Sequence, residues 1–115
     1  MPSDLERGYV LGQTAAYLEQ ITAGAKLAAQ VGCSRECLEE VLGAAAAEGC
    51  SVFVEDRTEG HVAVWMFKHE FARQLIDAFP KDTPPDALRV WSMGKLFGYS
   101  DIEIGSYLKE HGLIK

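Results

Sequence analysis

The sequence predicts a mainly helical α+β domain of about five helices and one β-hairpin. Three observations carry that prediction. Apolar residues recur at spacings of three and four in five separate segments, the period drops to two between Ser51 and Phe67, and glycine, serine and proline fall between these segments. With 115 residues, 48 % of them apolar, the chain has enough material for one domain with one core.

The first helix is announced by Ser3 with Glu6 three residues on, a spacing that suits a capping box. Leu11, Ala15, Leu18, Ile21, Ala25 and Ala28 form one apolar stripe, so the helix is expected to run to about Gln30. Gly8, Gly12 and Ala16 make a ridge of small residues on another face. In a helix each glycine costs of order 1 kcal/mol, so close packing is expected there, either within the chain or as the seam of a homodimer. Gly32 and Ser34 are read as the stop of this helix and the cap of the next, which reaches about Ala47 with Leu38, Val41, Leu42 and Ala45 inward. Gly49 closes it.

Ser51 to Glu55 and His61 to Phe67 are rich in β-branched and aromatic residues, and the polar Asp56 to Gly60 between them completes a hairpin. Phe71, Leu75, Ile76 and Phe79 mark a short helix stopped by Pro80. Pro80 to Pro85 is a loop, and Thr83, Pro84 and Asp86 begin the next helix, whose apolar face is Val90, Met93, Gly94 and Phe97. Gly98 ends it. Ser100 and Glu103 form a second capping box for a last helix carrying Ile104, Tyr107 and Leu108, which Gly112 closes.

The segment from Leu27 to Val41 resembles the helix-turn-helix of bacterial regulators, with the small Ala28, Gly32 four on and Leu38 on the inner face, completed by Val41. The hairpin follows where a winged-helix domain has its wing. The resemblance spans about residues 20–67 and implies a winged-helix-like amino-terminal half. The same spacing returns at Gly94, Gly98, Ser100, Ile104 and Leu108, so the pattern reports a helix corner before it reports DNA.

Charge argues against nucleic acid. The net charge is -6, and residues 1–57 carry nine acids against four bases. The candidate recognition helix exposes Glu36, Glu39, Glu40 and Glu48 beside Arg35, and the wing adds Asp56 and Glu59 around Arg57. Such a surface repels phosphates, whose neutralisation supplies most nonspecific DNA affinity.

No stretch is long and apolar enough to suggest a membrane span, and the acidic amino terminus does not look like a targeting signal, so a cytoplasmic setting is expected. Cys33, Cys37 and Cys50 are expected as reduced thiols. No Cys-x-x-Cys pair is present, Arg73 stands where a metalloprotease motif after His69-Glu70 needs its second histidine, and Gly94-Lys95-Leu96 lacks the hydroxyl of a phosphate loop. No metal, cofactor or catalytic residue is therefore expected. A cavity joining His61 or His69 to Cys33 or Cys50 would reopen the enzyme reading.

The sequence thus points to a small, non-catalytic, bacterial or phage-type regulatory accessory protein that binds a protein partner through Glu36, Glu39, Glu40, Asp56 and Glu59. Aromatic residues left over from the core, among Phe53, Trp65, Phe67, Trp91, Phe97 and Tyr99, would add to such a patch. The rival is a winged-helix transcriptional regulator, dimeric through Gly8, Gly12 and Ala16, with Lys26, Arg35 and Arg57 on DNA.

Overall fold

A computed structural model describes residues 3–78 and 86–115. The expected loop from Pro80 to Pro85 and the Thr83-Pro84 helix start lie outside these residues. The elements run α1 (Asp4–Thr22), β1 (Ala28–Ser34), a 3-10 turn (Arg35–Cys37), α2 (Leu38–Ala47), β2 (Ser51–Asp56), β3 (His61–Phe67), α3 (Glu70–Ala78), α4 (Ala87–Leu96) and α5 (Asp101–Glu110). Among the described residues, five helices and a three-stranded antiparallel sheet of order β1-β3-β2 make the fold mainly helical α+β.

One segment departs from the helical pattern. The first helix stops at Thr22, Gly24 takes the left-handed conformation (φ 82°), and Ala28–Ser34 is a strand paired along its length with β3, from Ala28 opposite Phe67 to Ser34 opposite His61. Ala28, Gly32 and Ser34 therefore lie on β1, and no helix corner exists there. The hydrophobic period of three to four across Ala25 and Ala28 arose from alanines, which fit either element. The second occurrence of the pattern is a true corner: Gly98 (φ 81°) ends α4, and Ser100 starts α5 with both hydrogen bonds of its capping box.

The strand alternation sorts the core into two layers. Val62, Val64 and Met66 of β3, with Ala29, Val31 and Cys33 of β1, face α1 and α2, where they meet Val10, Leu18, Ile21, Val41 and Ala45. Trp65 and Phe67, with Ala28, face the other way onto Ala72 and Ile76 of α3 and Leu96 of α4. In α1 the inward row is Val10, Thr14, Leu18 and Ile21, while Ala15 is exposed. Thr14 can be buried because its hydroxyl donates to the Val10 carbonyl at 2.7 Å. In α3 the inward residues are Ala72 and Ile76, leaving Phe71 and Leu75 about half exposed.

The small-residue ridge of α1 makes no close contact with another element among the described residues. Gly8, Gly12 and Ala16 are exposed, and a methyl group added at either glycine would meet nothing within 4 Å. The close intrachain packing expected there is absent among the described residues. No helix among these residues is long and apolar enough to cross a membrane.

Candidate functional site

The acidic surface is built by the 3-10 turn, the start of α2 and the loop between β2 and β3. Glu36, Glu39, Glu40, Asp56 and Glu59 are all exposed there. Two of them are already used within the chain. Glu40 pairs with Arg7 of α1 at 3.0 Å, and Asp56 bonds Arg35, tying the end of β2 to the turn before α2. Both pairs are solvent-accessible, so each contributes at most about 1 kcal/mol. Glu39 and Glu59 are exposed as well, with no ion pair among the described residues.

The three cations of the DNA reading are also engaged. Arg35 holds Asp56. Lys26 donates to the Phe97 carbonyl and lies over the rings of Tyr17 and Tyr99, 5.6 and 5.2 Å from their centroids. Arg57 reaches Gln30, whose amide, assigned with its oxygen toward the guanidinium, accepts from Nη2 at 2.6 Å. Releasing any of them to a phosphate would cost these contacts.

The back of the sheet carries the aromatic residues. Trp65 stacks between Phe53 and Phe97, each 5.6 Å away centroid to centroid, and its Nε1 donates to Glu55. Arg73 lies 4.2 Å over the Phe53 ring. Trp91 and Tyr99 remain partly exposed on α4 and the α4–α5 corner.

The cavity that would reopen the enzyme reading exists. An open cavity of about 250 Å³ is lined by Glu6, Tyr9 and Val10 of α1, Gly32, Cys33 and Ser34 of β1, Cys37, and His61 of β3. It brings one histidine and two thiols around one space. Sequence spacing did not show this, because the three come together only through the pairing of β1 with β3. Burial, reinforced by neighbouring Cys37, pushes the Cys33 thiol above its ordinary value of 9.0. A protonated thiol is a poor nucleophile, and among the described residues no hydrogen bond joins His61 to either sulfur. Ser34 is present too, with its hydroxyl oxygen buried and unpartnered. His69 instead stacks on Phe71, and His111 on Tyr107. No group of three or more histidine, cysteine or acidic residues among the described residues is placed to hold a metal ion.

The state of Cys33 has two measurable consequences. Alkylation by iodoacetamide at neutral pH is expected to be slower in the folded protein than in urea, and to rise only above the ordinary thiol range. A rate inflection below pH 7 would instead assign a thiolate-imidazolium pair and favour catalysis. The second consequence is thermodynamic. Burial also raises the Cys50 thiol, so both groups hold their protons more tightly folded than unfolded. The resulting stability is complete below the unfolded value and is lost as pH rises through the folded one. The urea midpoint should therefore fall above about pH 9, less steeply in Cys33→Ala, measured by circular dichroism.

No protein-family model, curated protein sequence or solved structure matches this chain, so the geometry of the site is what speaks for its function.

Proposed function

We propose that the protein is a small non-catalytic accessory protein that binds a protein partner, with the acidic surface of α2 and the β2–β3 loop as its electrostatic face. The observation that carries this reading is the engagement of Lys26, Arg35 and Arg57 inside the chain, while Glu39 and Glu59 stay exposed. A DNA-binding surface needs the reverse, with cations presented and acids withdrawn. An acidic face paired with a basic partner instead gains fast association and selectivity from charge complementarity.

Two experiments test it together. Random duplex DNA is expected to show no binding at low salt; binding whose affinity falls steeply with salt would restore the transcriptional reading. Partner capture from the source cell should weaken when Glu39→Lys and Glu40→Lys are combined. Unchanged capture would remove this face from the proposal. The double variant also loses the Arg7 pair, so its folding is checked by thermal melting, where a change of less than about 1 kcal/mol is expected.

A further inference from the structure

Both β1 and β2 are edge strands, because β3 lies between them. The hydrogen bond from the Arg35 amide to the Gly60 carbonyl fixes the alternation on the β1 side: Cys33, Val31 and Ala29 direct their backbone groups to β3. Gln30, Gly32 and Ser34 therefore point their amides outward, and none of these finds a backbone partner among the described residues. The sequence of β1, Ala-Ala-Gln-Val-Gly-Cys-Ser, has no charge and no proline, and its register with β3 is unbroken by a bulge. It lacks the devices by which exposed edges are normally blunted. β2, by contrast, ends in Glu55 and Asp56.

Two cavities flank this edge. At the Ser34 end lies the 250 Å³ space bounded by Tyr9, Val10, Cys33, Cys37 and His61. At the Gln30 end lies a second, of about 140 Å³, bounded by Tyr17, Lys26, Ala29, Gln30, Phe97 and Tyr99. Each is lined by residues from both faces of β1, so each opens at the strand's margin. Gly32 lines the first of them on the edge itself; it is exposed, and a Cβ there would meet nothing within 4 Å beyond its chain neighbours. α1 supplies Tyr9 to one cavity and Tyr17 to the other, so one helix walls both ends of the groove along this edge. Free edge groups, side-chain cavities at both ends and a helical wall are the parts of a β-augmentation site. The buried, unpartnered hydroxyl of Ser34 adds a polar group to the floor.

We propose that this groove takes an extended segment of a partner protein as a fourth strand on β1, with an apolar side chain seated among Tyr9, Val10, Cys33 and Cys37 and a lysine or arginine beyond it. The basic residue follows from charge: Glu6, in the first turn of α1, lines the cavity at the Ser34 end. The proposal rests on the protein-binding reading and gives the partner its form.

The test uses phage-displayed random dodecapeptides selected on the immobilised full chain. Recovered peptides should alternate apolar residues and carry a basic residue at one end. N-methylation of alternate peptide amides should weaken binding about tenfold in one register and leave it within about twofold in the other, because a strand turns every second amide to its neighbour. In the wild-type protein, the amides of Gln30, Gly32 and Ser34 should gain exchange protection on binding. Gly32→Pro should abolish binding, since it removes an outward amide that the sheet itself does not use; if that variant does not fold, the peptide and exchange measurements stand without it. Binding that is indifferent to N-methylation and lost in the Glu39→Lys, Glu40→Lys protein would overturn the groove while sparing the acidic face. Recovery of no peptide, or a dimer in sedimentation that Gly32→Pro dissolves, would overturn it as well.

Discussion

Trp65→Ala is expected to remove about 3–5 kcal/mol of stability, read as the shift in urea midpoint by far-ultraviolet circular dichroism. That is a large share of the roughly 5–15 kcal/mol typical of a domain. The magnitude follows from position. Trp65 stands on the central strand, 6 % exposed, with its ring between Phe53 and Phe97. Truncation opens a cavity under α4 and separates two aromatic contacts at once. It also strands the Glu55 carboxylate, which accepts from the indole at a half-buried site. Trp65→Phe separates these terms, since it keeps an aromatic ring in the stack and loses the indole's hydrogen bonds to Glu55 and Gln30; about 1–2 kcal/mol is expected. A cost below about 1 kcal/mol for the alanine variant would show that the layer of α3 and α4 contributes little to holding the sheet.

Much of the fold was legible because local chemistry and tertiary structure agree. Glycines at 49, 98 and 112 sit with positive φ where their helices end, Gly60 does so just before β3, and Ser3 and Ser100 cap α1 and α5; Asp86, read as an acid inside the first turn of α4, is instead its N-cap, with the helix starting at Ala87. The hairpin was legible from its period of two. β1 was not. Its residues are small, its partner lies some thirty positions away, and its alanines continue the spacing of α1, so only the pairing with β3 reveals it. The same pairing hid the Cys33-His61 cavity and the free edge. The individual acids of the proposed face were legible as exposed helix and loop positions, but their partners were not: Arg7 meets Glu40 only because α1 packs on α2. Likewise Lys26, an open cation in the sequence, is enclosed by two tyrosines brought from α1 and from the α4–α5 corner.

That enclosure depends on one residue at the corner, and Gly98→Ala is expected to cost about 2–4 kcal/mol. Two effects combine there. Gly98 holds φ at 81°, which an L side chain adopts at a penalty, and an added Cβ would stand 2.8 Å from the Ala25 carbonyl oxygen and 2.9 Å from Cγ of Lys26. Neither neighbour gives easily: one is backbone, and the other belongs to a side chain held by the Phe97 carbonyl. Gly112→Ala serves as the control, since Gly112 has nearly the same φ, 69°, in open space. It should cost only the conformational part, about 1 kcal/mol. The difference between the two variants, measured by urea denaturation under one condition, isolates the contact that joins the α4–α5 corner to the entry of β1. Equal losses would mean that the corner does not press on Ala25, and that α4 and α5 are held to the sheet through Leu96 and Phe97 alone.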